Sequence, residues 1–167
     1  SIASKDMHKR IDEVLEIVGL SNRRKDKISS LSGGEKQRLC IASSLALNPK
    51  ILVLDEPTSM LDSENRKNII EILNQVHSMG TAIVIVTHHL NEIEYCNDVI
   101  FMDNGVISFN GSVNEFVKML IKSDEFHKLN MPINFQLAYE LYKKKNVLID
   151  EYVFDYKMVC DKLWKYL

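Results

Sequence analysis

The sequence has few cysteines, no long apolar run and no excess of basic residues. Its three cysteines in 167 residues are odd in number and widely spaced, which argues against a disulfide framework and favours small buried thiols in a reducing compartment. The longest apolar stretches, near 51–54 and 82–86, are far shorter than the roughly 20 residues that a membrane-spanning helix needs. The net charge of −2 gives no sign of a basic field, so we expect no nucleic-acid partner.

Two helices with clear start or stop signals are predicted before the first strand. Apolar residues recur at helical spacing over residues 6–18, and Gly19 is a suitable end for that helix. A polar loop is expected at 21–30. The stretch "SGGE" at 32–35 then has the form of a capping box, in which the serine and glutamate side chains satisfy free backbone N–H groups. This second helix is expected to run to about Leu47.

Two short apolar stretches, "ILVLD" at 51–55 and "TAIVIVT" at 81–87, are predicted to be strands covered on both faces. An amphipathic helix that ends at Gly80 lies between them. The alternation of helix and strand predicts an α/β fold with a parallel sheet. Because ligands bind beyond the carboxyl ends of such strands, polar residues 55–56 and 87–89 are expected at one edge of the sheet.

The remaining sequence predicts a hairpin and further helices. A short helix is expected around 90–96, and the pattern at 99–109 predicts a hairpin whose two-residue turn is Asn104-Gly105. A second capping box opens a helix over 112–122. Residues 123–167 are expected to form a small helical extension.

The two polar clusters carry residue types that could act on a phosphate group. Asp55 could hold Mg²⁺ directly or through water, and Glu56 beside it could orient or deprotonate an attacking water. His88 at the neighbouring strand end could hydrogen-bond a phosphate oxygen. Taken alone, Asp55 and Glu56 could equally cap a strand in solvent, and a lone histidine at a strand end is more often only a polar surface residue.

The glycine turn before the second helix is a candidate anion site. A helix N-terminus presents unsatisfied N–H groups at the positive end of the helix dipole. Gly33 and Gly34 would leave room for a phosphate to approach the backbone, and Ser32 adds a hydroxyl donor. The alternative for this stretch alone is an ordinary helix cap with a flexible lead-in.

The order of these motifs resembles that of the ATP-binding-cassette ATPases. The stretch "LSGGEKQR" is similar to their signature motif, "ILVLDEPTSMLD" to the Walker B segment followed by the D-loop, and "IVIVTHH" to the strand that ends in the switch histidine. The resemblance covers about residues 1–120. It implies an α/β fold with a partial P-loop NTPase-type parallel sheet, flanking helices and a small helical C-terminal extension.

The resemblance also implies cofactors and roles for single residues. ATP and Mg²⁺ would be the cofactors, with Asp55 as the metal ligand, Glu56 polarising the water and His88 contacting the γ-phosphate. In this family two cassettes pack head to tail, so the signature would contact a nucleotide held mainly by the other subunit, and Asp62 would couple the two sites. The residues implied for nucleotide binding are Ser32, Gly33, Gly34, Glu35, Gln37 and Asp62.

One expected motif is missing, because no G-x-x-x-x-G-K-[ST] phosphate loop occurs in the chain. The family places that loop before the signature. We therefore expect residues 1–122 to be the C-terminal part of a cassette and residues 123–167 to be an extension that helps dimerisation. On this expectation the chain alone does not turn over ATP.

Within the family, the chain is most similar to the ATPase of energy-coupling-factor importers of the cobalt and vitamin type. The segment "DEPTSMLD" and the tail "LNMPINFQLAYELYKKKNVL" carry this resemblance. It implies a second ATPase subunit, a transmembrane coupling subunit and a substrate-binding membrane subunit as partners, at the cytoplasmic face of the membrane. Phe135, Leu141 and Trp164 become candidate dimer-interface residues, although the tail could also be a helical appendage of another kind.

Several positions depart from the family pattern. His89 stands where Asp usually follows the switch histidine, and Ser63 and Asn65 replace the usual Pro and Gly after Asp62. Val106 and Val113 also replace more usual residues, a Lys and a Pro. Two rival functions stay open: a non-transport ATPase of the same superfamily that acts on DNA or ribosomes, and a non-catalytic module that only supplies its signature to a partner.

Overall fold

The computed structural model describes residues 4–123 and 132–147, together with residues 157, 160, 161 and 164 individually. The chain divides into two compact units, Ser1–His88 and His89–Leu167. Among the described residues, none of the helices combines the length and the apolar character that crossing a membrane requires.

The first unit has the predicted order of helices and strands. Short 3₁₀ turns at Ser21–Arg23 and Ile28–Ser30 occupy the predicted polar loop. The regular elements are α1 (Ser4–Ile17), α2 (Gly33–Leu45), β1 (Ile51–Asp55), α3 (Ser63–Ser78) and β2 (Ala82–Val86).

Strands β1 and β2 form the predicted parallel pair. Their register runs from Ile51 opposite Ala82 to Asp55 opposite Val86. The two strands therefore end side by side, and the residues that follow them in sequence lie at one edge of the sheet.

The core of the first unit lies against one face of this strand pair. The alternating residues Leu52, Leu54, Ile83 and Ile85 pack with buried side chains of the helices, which include Val14, Ile41, Ile69 and Val76. The opposite face is exposed: 60% of Ile51, 63% of Val53, 46% of Val84 and 52% of Val86 is accessible to solvent. The expectation that both faces are covered is therefore wrong, because the described helices pack against one face only.

The second unit begins with a 3₁₀ helix at Leu90–Tyr95. It continues with β3 (Asp98–Asp103), β4 (Val106–Ser112), α4 (Val113–Lys122) and α5 (Ile133–Lys145). The hairpin of β3 and β4 is antiparallel and turns at Asn104 and Gly105, whose φ angles of 49° and 79° are both left-handed. The turn predicted from the sequence is confirmed, and its positive φ angles match the twist of a hairpin.

A compact aromatic core holds this second unit together. Phe116 of α4 is fully buried, and its ring centroid lies 5.4 Å from that of Phe101 and 5.2 Å from that of Phe109. Phe135 and Leu141 of α5 are buried in the same core. Two of the three candidate interface residues thus fill their own unit, whereas Trp164 is 77% exposed.

Candidate functional site

The turn before α2 is a complete capping box, as predicted. The backbone N–H of Ser32 donates to Glu35 Oε2 at 2.8 Å, and the N–H of Glu35 donates to Ser32 Oγ at 3.2 Å. Ser32 and Gly33 are exposed, and Gln37 is half-buried further along α2. The helix thus begins at the glycine pair and presents its N-terminus to solvent.

The carboxylate of Glu35 is held from two sides. Its Oε2 accepts from Ser32, and its Oε1 accepts from Arg23 Nε at 3.1 Å. The hydrogen bond from the Ser32 backbone, with a smaller contribution from Arg23, lowers the pKa of the Glu35 carboxyl. The geometry gives Glu35 the role of a helix cap, and its contact with a nucleotide stays a prediction.

The two glycines of the turn have different surroundings. Among the described residues, no neighbouring heavy atom lies within 4 Å of the position that a Cβ on Gly33 would take. A Cβ on the buried Gly34 would lie 2.4 Å from Asn65 Oδ1, which is closer than real Cβ contacts. The open space expected next to both glycines is therefore present at Gly33 only, because Asn65 occupies the space at Gly34.

Asp62 begins the next helix, α3, as its N-cap. Its Oδ1 accepts from the backbone N–H of Asn65 and its Oδ2 accepts from Asn65 Nδ2, both at 2.8 Å. The backbone bond from Asn65 is the main reason that the pKa of the Asp62 carboxyl is lowered. Asp62 therefore presents an ionised, exposed carboxylate in a fixed orientation.

The two strand ends bring the predicted acid and histidine together. Glu56 directly follows β1, and its N–H donates to the carbonyl of Val86 on β2 at 2.8 Å. Its Oε1 accepts from the backbone N–H of His88 at 3.1 Å and lies 2.6 Å from His88 Nδ1. Sequence reasoning placed these two residues at one sheet edge, and the structure brings their side chains into contact.

The backbone at Glu56 is unusual, since its φ angle is 48°. A non-glycine residue in this left-handed region costs about 1–2 kcal/mol, and such residues occur often at functional sites. Glu56 precedes Pro57, which favours an extended backbone at that position. The sequence therefore gives no signal of this conformation.

Carboxylates at this edge suit a hard cation. Asp55, the last residue of β1, is exposed. Mg²⁺ usually binds through one or two carboxylates, with water and substrate phosphates completing an octahedron. An exposed aspartate next to a positioned glutamate fits that chemistry.

Two residues with marked contacts were not predicted to act at the site. Arg23 donates to Glu35 and also to Asp26 Oδ2 at 3.0 Å. It lies in the segment 21–30, for which the sequence predicted only a polar loop. Asn65 contacts both Asp62 and the Gly34 position. Its departure from the family pattern is visible in the sequence, but its contact with Gly34 depends on the fold.

Comparisons with known proteins agree with the resemblance to ATP-binding-cassette ATPases. Residues 1–59 match the family model described as ABC transporter. The energy-coupling factor transporter ATP-binding protein EcfA1 of Thermotoga maritima is 42% identical over 132 residues, which cover 79% of this chain and 49% of that protein. The methionine import ATP-binding protein MetN of Clostridium acetobutylicum is 35% identical, with 99% of this chain and 56% of that protein covered.

Solved structures agree with the sequence relatives. The structure of cbiO1 from Clostridium perfringens, part of the ABC transporter complex cbiONQ, has a TM-score of 0.67 and 29% identity over 82% of this chain and 55% of that chain. The chain spans about half the length of the curated relatives it matches. The motifs, the fold and these similarities lead to one conclusion: the chain belongs to the ATP-binding-cassette ATPases.

Proposed function

We propose that this chain is the C-terminal part of an ATP-binding and ATP-hydrolysing subunit that powers micronutrient uptake by an energy-coupling-factor type importer. ATP and Mg²⁺ are its cofactors. Its partners are a second cassette, a transmembrane coupling subunit and a substrate-binding membrane subunit, and it works at the cytoplasmic face of the membrane. The similarity to the Thermotoga maritima protein supports the importer type.

The observation that carries the proposal is the contact between Glu56 and His88. The two side chains come from the ends of adjacent parallel strands, with 2.6 Å between Oε1 and Nδ1. A carboxylate in this position can orient an attacking water, and the histidine can hydrogen-bond an oxygen of the γ-phosphate. Asp55 next to Glu56 supplies the ligand for Mg²⁺.

A second set of residues binds the nucleotide of the partner cassette. Ser32, the open Gly33 and the N–H groups at the start of α2 form a donor surface for phosphate oxygens. Gln37 on the same helix and Asp62 at the start of α3 complete the surface that faces the partner. Glu35 contributes by holding Ser32 in place.

The two sets of residues belong to different ATP sites. In a head-to-tail dimer, Glu56 and His88 act on the nucleotide bound by the phosphate loop of the same polypeptide, whereas Ser32 acts on the nucleotide of the partner. The chain contains a complete signature motif but no phosphate loop motif. Its residues can therefore complete the ATP site of a partner, whereas the ATP site that contains Glu56 and His88 is incomplete. We therefore predict that the chain alone does not hydrolyse ATP.

The test is a complementation assay in trans. The chain is mixed with a full-length cassette whose own signature serine has been replaced, and ATP hydrolysis is measured against chain concentration. We expect hydrolysis to be restored by the unsubstituted chain and lost with Ser32→Ala. The matched control is Ser78→Ala, which changes an exposed serine at the end of α3.

Absence of rescue by a chain that circular dichroism shows to be folded would contradict the proposal. Equal rescue by the unsubstituted chain and by Ser32→Ala would contradict the assigned role of the signature. Steady hydrolysis by the chain alone, abolished by Glu56→Gln, would contradict the predicted lack of activity.

Methionine import is a second candidate function, favoured by one observation. The methionine-import relative from Clostridium acetobutylicum matches 99% of this chain, slightly more than the 96% matched by the EcfA1 protein of Oceanobacillus iheyensis. Uptake measurements on cells that lack the gene separate the two candidates. A selective loss of methionine uptake favours the second function, and a selective loss of cobalt or vitamin uptake favours the first.

A further inference from the structure

We propose that Asn65 is a positioning residue that holds the Asp62 carboxylate and, through its contact with Gly34, fixes the start of α3 against the signature turn. The signature turn is residues 32–35, the capping box that opens α2. The inference rests on the proposed function, in which the signature turn and Asp62 both serve the interface with a partner cassette.

Both oxygens of the Asp62 carboxylate are held by the same residue. One residue, Asn65, donates to both carboxylate oxygens, from its backbone N–H and from its side-chain amide, at 2.8 Å each. Asp62 is exposed, so without the second bond its carboxylate could rotate in solvent. A paired contact to a charged group fixes orientation as well as contributing energy.

The side chain of Asn65 also lies close to the signature turn. An ideal Cβ on Gly34 would lie 2.4 Å from Asn65 Oδ1 and 2.7 Å from its Cγ. With alanine at position 34, either the α2 backbone or the Asn65 side chain would have to move. Gly34 is buried under this contact, whereas its neighbour Gly33 is open, so the close approach is specific to one of the two glycines.

The contact depends on a departure from the family pattern, in which glycine is usual at position 65. A glycine there would have no side chain to reach either Asp62 or Gly34. In this chain a single amide therefore connects Gly34 of the signature turn with Asp62, which lies 28 residues further along the sequence. A shift of the signature turn then moves Asp62 with it, which matters because catalysis by such dimers depends on positioning.

The contact with Gly34 is tested on the full chain without nucleotide, by thermal unfolding of Gly34→Ala, Asn65→Gly and the double variant. We expect Gly34→Ala to lower the melting temperature in the native background and to have little effect in the Asn65→Gly background. Such non-additivity reports direct contact. An equal effect of Gly34→Ala in both backgrounds would overturn the proposed contact.

The hydrogen bonds from Asn65 to Asp62 are tested by an NMR titration of the Asp62 carboxyl carbon in the same full chain. We expect the pKa of Asp62 to rise in Asn65→Ala, because the side-chain donor is removed while the backbone donor stays. The control is Asn74→Ala, which changes an exposed asparagine on the same helix and should leave this pKa unchanged. If the pKa of Asp62 is the same in the unsubstituted chain, in Asn65→Ala and in Asn74→Ala, the proposal that the Asn65 side chain holds Asp62 is overturned.

The consequence for catalysis is measured in the complementation assay. We expect Asn65→Ala to lower kcat about tenfold while KM for ATP changes less than about twofold, since an oriented hydrogen bond is lost and the nucleotide is held by the partner. Full activity of Asn65→Ala would overturn the positioning role. If the unsubstituted chain gives no Ser32-dependent rescue, the proposed function fails, and the two nucleotide-free tests still decide whether Asn65 holds Asp62 and Gly34.

Discussion

Glu56 has a backbone conformation that few residues with a side chain adopt. Its φ angle of 48° places it in the left-handed region, and its carboxylate is held by the backbone and side chain of His88. The N–H of Glu56 donates to Val86, so the chain turns sharply while it stays bonded to the neighbouring strand. This turn aims the side chain across the ends of β1 and β2.

A conservative change at Glu56 separates chemistry from structure. In the intact ATPase that we propose, Glu56→Gln is expected to lower kcat at least about a hundredfold, because the amide cannot accept a proton from water. Its carbonyl oxygen can still accept from the His88 N–H, so we expect little change in melting temperature. The control is Glu71→Gln, which changes an exposed glutamate on α3, and both variants are compared in rate and melting curve. A kcat of Glu56→Gln above half of the unsubstituted value would contradict the role of Glu56 in activating water.

At the scale of single elements, the helix starts are stabilised by side chains that bond to their own backbone. Glu115 caps α4 by accepting from the N–H and the hydroxyl of Ser112, at 3.0 and 2.7 Å. These bonds lower the pKa of Glu115 below its ordinary value of 4.5. Because the folded-state pKa is depressed, the stabilisation is present above pH 4.5 and is lost as the pH falls through the folded-state value.

This cap predicts a pH dependence that Glu115→Gln removes. Glutamine at the third helical position can still complete the box but carries no titrating charge. We expect the urea midpoint of the unsubstituted chain to fall more than that of Glu115→Gln when the pH is lowered from neutral to below 4.5. Glu35 and Asp62 titrate in both proteins and cancel, and parallel pH profiles would contradict the prediction.

The hairpin turn gives a second prediction at this scale. Gly105 has a φ angle of 79°, and among the described residues no neighbouring heavy atom lies within 4 Å of its Cβ position. Gly105→Ala should therefore cost about 1–2 kcal/mol of unfolding free energy through backbone strain alone. The control is Gly33→Ala, since Gly33 is equally open but lies at the start of a helix, where alanine should be neutral or stabilising. Equal urea midpoints for the two variants would refute this explanation.

The elements also show which features a sequence can predict. The two capping boxes and the turn at 104–105 follow from residues at most three positions apart, and all were predicted. The contact of Glu56 with His88 joins residues 32 positions apart, and it was accessible because parallel strands end at the same edge. The approach of Asn65 to Gly34 and the left-handed Glu56 depend on the packing of whole elements, so no local pattern indicates them.

At the scale of the whole molecule, the exposed apolar face of the β1–β2 pair is the feature that most affects the behaviour of the chain in solution. Val53 and Val84 lie opposite each other in the register, and Ile51 and Val86 extend the same apolar face. A sequence pattern of apolar residues on both sides of a strand predicts cover on both faces. In the described structure only one face is covered, so the pattern shows what the strand is suited to contact and not what the described residues supply.

This face predicts that the isolated chain self-associates, because contiguous exposed apolar surface on a sheet favours association. Sedimentation velocity should show a weight-average mass that rises with concentration, and Val53→Lys combined with Val84→Glu should return the chain to the monomer. The two new charges face each other across the strands, so the paired variant should keep its fold. Leu47→Lys is the control, since Leu47 is 83% exposed and lies outside the strands. A monomeric unsubstituted chain with a cooperative melting transition would mean that the apolar face is tolerated in water, and it would contradict the predicted self-association.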